Sequence, residues 1–413
     1  MKPSFLLSFL FFILAFTGCS DPDSKSEVNR VNFQKFELQL TTAQFDILER
    51  AEKLLAQPVV SITDKPSLQH LHDKRTYVSL ACYWWPDPNS DDGLPYLRID
   101  GEVNPETRSN ASDLPKMIDM AFRVEWLASA YQISGNEQFA DKAIEQIEIW
   151  FIRPETAMLP HLYHAQMVKG MNQGRSYGVI DTWWLVRVVE SVPVLRESQS
   201  WSPELELQLK KWFTHYLNWL RNSEFGQQEM KSSNNHGTWY DVQVVTYALF
   251  TGQKELAEFH LKEITKPRIS RQIGFVGRQK QETRRPRPEH YSIYNLSGWL
   301  KLASAADELD IILDDRNNIL AGNLKDAVDY LIELTKGRAA SEYLDPLDRT
   351  DTDQLYLNLL LDAWRLYDNE DFKNEALQRF KEIQSEGVPV LTPSNYSALI
   401  GWMSSTSGQI TKY

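Results

Sequence analysis

The stretch Ser233-Asn234-Asn235-His236-Gly237-Thr238-Trp239-Tyr240-Asp241 gathers two amides, an imidazole, an indole and a phenol just before the apolar run 242–250. Asn supplies amide donors and His a proton site that titrates near neutrality, so the set can hold an anionic ligand and move a proton on it. The same residues suit a helix start, since Asn and His favour caps and turns over helix interiors. A helix capped near Asn234 or Asn235, with its first turn facing a cavity, accommodates both readings. A plain cap with a satisfied core histidine is the blander one.

A second loaded stretch runs from Lys262 to Arg287. Lys262, Lys266, Arg268, Arg271, Arg278, Lys280, Arg284, Arg285 and Arg287 meet only Glu263 and Glu282 there, a local inversion of sign in a chain of net charge -12. Such a run is usually a solvated face. Here it leads directly into Pro288-Glu289-His290-Tyr291-Ser292-Ile293-Tyr294. An Arg beside a Tyr stabilises phenolate and is expected to lower the phenol from its ordinary pKa of about 10, as a tyrosine base requires. Tyr291 is the candidate acid/base, and Tyr294, one helical turn on, its rival.

Other chemistries are thinner. No G-x-S-x-G, no G-x-G-x-x-G and no Cys cluster occurs, and His161 and His164 lack the H-E-x-x-H setting of a catalytic zinc. Glu342, Asp345, Asp348 and Asp351 stay available as a carboxylate pair for glycoside hydrolysis. The acidic balance argues against nucleic acid as a partner, and means that an anionic substrate must be drawn by a local basic patch.

These residues must be positioned by helices. Apolar periodicity predicts helices over 42–57, 113–134, 136–151, 179–195, 202–221, 240–250, 254–264, 291–309, 319–335, 353–367 and 371–385, with little strand-like alternation. Such a series, without a long-period repeat, predicts an all-α (α/α) toroid of about six to seven paired hairpins, an irregular bundle being the alternative. Two long connections interrupt it. Residues 77–106 carry Tyr83-Trp84-Trp85-Pro86-Asp87-Pro88, whose flat rings suit the C–H faces of sugars or simply pin the loop; residues 159–181 carry Gln166 and Arg175.

The N-terminus reads differently. Met1-Lys2, an apolar run from Phe5 to Phe16 and Phe16-Thr17-Gly18-Cys19 form a short export signal ending like a bacterial lipobox. The expectation is a signal peptide over 1–18, lipid on Cys19, a polar tether over 19–30 and a single domain over 31–413. That places an exported protein at the outer membrane, facing the periplasm or the cell surface, and touching the membrane only through its anchor. An ordinary signal with a chance Cys is the alternative. Cys82, the other cysteine, then has no partner and reads as a buried spectator.

Three segments together resemble the alginate lyase superfamily of helical-toroid polysaccharide lyases, in particular the branch with alginate- and glucuronan-cleaving members: Tyr77 to Pro88, Gly101-Glu102-Val103-Asn104-Pro105-Glu106, and Asn234-Asn235-His236-Gly237-Thr238-Trp239. The family's E-L-x-R-T-x-x-x-x-Y-S-x-x-N-L pattern is met by Glu282, Arg285, Tyr291, Ser292, Asn295 and Leu296, departing at Thr283 and Pro286. Its A-Q-x-x-x-G-x-N-x-G-R segment is met by Ala165, Gln166, Gly170, Asn172, Gly174 and Arg175. The resemblance implies β-elimination on a 1,4-linked polyuronate (alginate or glucuronan) without a redox cofactor; no cofactor and no metal ligands are expected. Tyr291 would be the acid/base, and Asn235, His236 and Arg285 would neutralise the C5 carboxylate. Tyr83, Trp84, Trp85 and Gln166 are expected to contact substrate, as are Arg175, Tyr240, Arg287 and Tyr294. A glycoside hydrolase, which needs two carboxylates, and a non-catalytic glycan-binding lipoprotein are the competing classes.

The anchor is directly testable. Cys19→Ala should move the protein from the detergent to the aqueous phase on partitioning, and the wild-type mature N-terminus should be an acylated residue 19 by mass analysis. An unmodified terminus elsewhere means ordinary secretion.

Overall fold

Helix α1 (residues 44–55) opens the part of the chain that the computed structural model describes: residues 44–66, 73–314, 323–336 and 346–385, with side chains from 353 onward in the last segment. The expected signal segment and tether, Cys19, Glu342 and Asp345 lie outside the described residues, as do the side chains of Asp348 and Asp351. No helix among the described residues is long and apolar enough to cross a membrane.

Local rules set most boundaries. Helix α2 (Leu114–Ser134) ends at Gly135, which takes the left-handed conformation at φ 66°. Asn136 then caps α3 (Glu137–Phe151), accepting from the Gln138 N–H. Ser202 caps α5 (Pro203–Asn222), with Pro in its first turn. A short helix not expected from periodicity, α6 (Glu224–Met230), follows. Asn234 caps α7 (Asn235–Phe250), so the amide-imidazole stretch is the first turn of that helix.

Two predicted helices are broken. Residues 176–184 form a tight 3-10 segment ahead of α4 (Leu185–Leu195). Gly178 presses against Ala165 there, where a Cβ would come within 2.4 Å of that side chain. Helix α8 (Lys254–His260) widens into a π turn at Leu261–Thr265 before α9 (Lys266–Gln272), at whose start Pro267 cannot donate to the ladder. The remaining helices are α10 (Pro288–Glu308), α11 (Leu324–Thr335), α12 (Pro346–Tyr367) and α13 (Glu370–Ser385).

These helices form an (α/α) toroid. Residues of α2, α4, α7, α10 and α12 line a central chamber of about 300 Å³. Helices α3, α5, α8 with α9, α11 and α13 alternate with them along the chain and pack outside. Four inner helices, α2, α4, α7 and α10, begin near one end of the ring, at the rim of a larger cleft. Over that end lie the two long connections. They are tied by a parallel pair, β1 (Val78–Leu80) with β4 (His164–Met167), and an antiparallel pair, β2 (Trp84–Trp85) with β3 (Leu97–Arg98).

A buried ionic cluster fixes the start of α7. Arg268, on α9, pairs with Asp241 at 2.8 Å and donates to the carbonyls of Ser232 and Met230 at 2.6 and 2.8 Å. His260 meets the other Asp241 oxygen at 2.8 Å. Position 237 must be glycine, because a Cβ would fall 2.2 Å from Arg268 Nη1 and from the Ser232 oxygen. Burial pushes Asp241 upward, yet His260 and Arg268 outweigh it and hold the carboxyl below its usual value. The depressed pKa gives stability that is present above the ordinary carboxylate range and is lost as pH falls through the folded value. Arg268→Ala strands a buried carboxylate and two carbonyls. It should cost about 3–5 kcal/mol, read as a lowered midpoint in denaturant.

Candidate active site

The cleft at the mouth of the ring encloses about 530 Å³. Its charge is one-sided. Arg98, Arg108, Arg175, Arg187, Arg285 and Arg287 line it, against Asp181 as the carboxylate among the described lining residues. Asp181 is itself satisfied below the surface, accepting from Ser79 Oγ at 2.5 Å, Gln166 Nε2 at 2.9 Å and Tyr77 Oη at 3.1 Å. Burial raises its pKa against those three donors.

Tyr291, on the first turn of α10, meets two partners at one oxygen. Arg285 Nη2 donates to its Oη at 2.7 Å, and the Tyr83 hydroxyl lies 2.5 Å away. The Arg285 guanidinium also lies 3.7 Å from the Tyr291 ring centroid. Asp100 orients that guanidinium from behind, accepting from Nε and Nη2 at 3.0 Å each. Burial raises Tyr291 above the ordinary phenol value, and the Tyr83 hydrogen bond and the Arg285 charge pull against it. The lowering expected from Arg285 alone is therefore overcome by desolvation.

Across the cleft, the first turn of α7 presents Asn235 and His236. Glu282 accepts from both the Asn235 backbone N–H (2.8 Å) and its Nδ2 (2.7 Å), fixing the amide. Burial raises Glu282 against those bonds. His236 Nδ1 is 2.5 Å from Glu229 on α6, and its ring meets Tyr177 edge-on at 5.0 Å. The Glu229 contact occupies Nδ1 and leaves Nε2 as the imidazole nitrogen for the cleft.

The other expected contacts divide. Gln166 holds a left-handed backbone (φ 47°), donates to Asp181 and accepts from Arg175 Nη2 at 3.0 Å. Arg175 lies 5.8 Å from the Trp84 ring and 5.0 Å from the Tyr177 ring. Trp84 lines the cleft but Trp85 does not: adjacent strand residues point to opposite faces, and the Trp85 indole donates to the Glu102 carbonyl. Arg287 lines the cleft and donates to the Gly101 carbonyl. Tyr294 reaches the cleft wall but is mainly a packing residue, stacked on Trp239 at 5.0 Å. Tyr240 is buried away from the cleft with its hydroxyl on the Leu220 carbonyl, because α7 turns it outward toward α5 and α8.

Among the described residues His161 and His164 belong to no group of three metal-ligating side chains: His161 packs on the Tyr163 ring, and His164 Nδ1 meets the Gln173 carbonyl. Burial pushes the Cys82 thiol up to about 11, as suits a spectator. Asp100 and Glu229 carry no signal of their own in the sequence. Each acts through a partner that becomes adjacent only in the folded chain.

A toroid of helices with an arginine-lined cleft and a Tyr-Arg-Asn-His constellation suits an anionic polymer. The comparisons specify it further. The family model described as alginate lyase matches residues 61–340. The structure of an alginate lyase from Bacteroides ovatus is 32% identical over 81% of this chain and 89% of that one, with a TM-score of 0.75. Alginate lyase A1-III from Sphingomonas species A1 is 14% identical over 78% of this chain and 87% of that one, with a TM-score of 0.49. No curated protein matches. The chain belongs to the alginate lyase family and is a polysaccharide lyase.

The Glu282 clamp generates a prediction. Glu282→Ala leaves two Asn235 donors without their acceptor, so lyase kcat/KM should fall about 10–100-fold, the effect of stranding one or two buried polar groups. Helical circular dichroism should stay intact. Unchanged activity would mean that Asn235 needs no external support.

Proposed function

We propose that the chain cleaves a 1,4-linked polyuronate, most readily alginate, by β-elimination that leaves a 4,5-unsaturated uronate. The observation that carries this reading is the placement of Tyr291 Oη on Arg285 and Tyr83 in a cleft that also holds the clamped Asn235 amide. Six arginines around that cleft suit a polymer with one carboxylate per sugar, in a protein whose net charge would otherwise repel it.

The C5 proton, α to the carboxylate, is weakly acidic until that carboxylate is neutralised. The Asn235 amide and Arg285 Nη1, the guanidinium nitrogen engaged by neither Asp100 nor Tyr291, are the donors for it and for the dianionic charge that develops. Tyr291 as phenolate takes the C5 proton on the face shared with O4. It returns a proton to O4 as the glycosidic bond breaks, which suits mannuronate and glucuronate. Where the C5 proton is anti to O4, as in guluronate, His236 Nε2 is the base on the opposite face and Tyr291 the acid. Nothing in this scheme requires two catalytic carboxylates. The same reading keeps the lipid anchor at Cys19 as a proposal resting on the sequence.

The test is new ultraviolet absorbance from the conjugated double bond, measured with polymannuronate, polyguluronate, mixed alginate and glucuronan. Tyr291→Phe should lower turnover on every substrate by several orders of magnitude with folding intact. Asn235→Ala should damage all of them, and His236→Ala should hurt polyguluronate at least as much as polymannuronate. New reducing ends without absorbance would mean hydrolysis; a dead Tyr294→Phe beside a normal Tyr291→Phe would move the acid/base.

A further inference from the structure

Resting on that reading, we propose that Tyr83 is a positioning residue of the elimination: its hydroxyl donates to Tyr291 Oη and, with Arg285, holds that oxygen as the phenolate that takes the C5 proton. Tyr83 was expected among the sugar-stacking aromatics because it opens the Tyr83-Trp84-Trp85 run. The structure gives it a different place. Its oxygen lies 2.5 Å from Tyr291 Oη, a contact between residues 208 positions apart, and its ring lies 5.9 Å from the Arg285 guanidinium carbon. Its neighbour Trp84 is one of two wall rings that meet Arg175, the other being Tyr177.

The Tyr83 backbone is held on both sides. Its carbonyl accepts from the Ile99 N–H at 2.9 Å, and the Cys82 carbonyl accepts from the Asn104 N–H at 2.8 Å. A phenol fixed this way presents a donor to Tyr291 without reorganisation.

The pair is asymmetric. Arg285 Nη2 and the Asp100–Arg285 pair attend Tyr291, whereas among the described residues the Tyr83 oxygen bonds to Tyr291 and to no cation. Burial pushes Tyr83 far above the ordinary phenol value, and the Arg285 Nη2 donor sits on the Tyr291 oxygen, so of the two it is Tyr83 that keeps its proton. The charged or titratable groups near Tyr291 are Cys82 and Tyr83 from the first long connection and Asp100 from the turn after β3. Arg285 adds to them from the loop before α10, and His290 from α10 itself, its ring 5.2 Å away. Among these, Tyr83 and Arg285 favour the phenolate, while Cys82 and Asp100 oppose it. A hydroxyl donor to an ionised acceptor is among the stronger hydrogen bonds a protein makes.

Tyr83→Phe keeps the ring and removes that donor. On polymannuronate, kcat should fall about 10–100-fold, the usual effect of losing a hydrogen bond to a charged group. KM should change little, and the rising limb of the pH profile should move to higher pH by about one unit or more. A raised KM with kcat and limb unmoved would make Tyr83 an ordinary substrate contact and overturn the proposal. A second readout needs no substrate: 3-fluorotyrosine placed at position 291 reports its own ionisation by fluorine NMR. Its titration midpoint should rise in the Tyr83→Phe background, and an unmoved midpoint overturns the proposal. If wild type cleaves no polyuronate, the functional reading falls, and this titration alone decides the role of Tyr83.

Discussion

One buried carboxylate couples the two chemically loaded parts of the chain. Glu282 precedes α10 and reaches across to the first turn of α7, accepting from both the backbone and the side chain of Asn235. A buried carboxylate is costly unless its lone pairs are satisfied, and one bonded to two donors is both tolerated and directional. The constraint therefore runs both ways. Asn235 is held in register with Arg285 and Tyr291, three and nine residues beyond Glu282, because the clamp is stable only when the two stretches meet. The Arg268–Asp241 pair does the same work deeper down, tying the loop before α7 to α9.

Around this joint the ring of helices brings cations to one end of an acidic protein. Four inner helices begin at the cleft, where the positive ends of their dipoles favour an anion. At α7 that advantage is partly spent internally, since Asn234 and Glu282 already take the N–H groups of His236 and Asn235. The arginine side chains are thus the main attraction for a carboxylate polymer. They come from both long connections, from α4 and from the loop before α10, so no single element carries the charge.

Much of this was legible in the sequence, for a physical reason. Helical periodicity and caps are local, and α2, α3, α5 and α10 begin or end within a few residues of their predicted bounds. The π turn at Leu261–Thr265 and the 3-10 segment before α4 were not, because each depends on a local defect or a close contact that periodicity averages away. In the site, Tyr291, Arg285, Asn235 and His236 announced themselves by composition, and the cleft brings them together. Tyr240 shared their neighbourhood in sequence yet points outward, since five positions along a helix turn a side chain to another face. Asp100 and Glu229 were invisible because their significance is wholly tertiary. So was the Tyr83–Tyr291 contact, which joins an aromatic of the 83–85 run to the oxygen proposed to react.

The central claim is that one sugar carboxylate sits between the Asn235 amide and the Arg285 guanidinium while its C5 hydrogen faces position 291. A crystal structure of the Tyr291→Phe protein with a bound mannuronate tetramer tests it most directly. The expected complex has a carboxylate within hydrogen-bond distance of both Asn235 Nδ2 and Arg285, with C5 of the same sugar turned toward the Phe ring edge. A tetramer whose carboxylates all lie on other arginines, leaving Asn235 bonded to Glu282 alone, would contradict it.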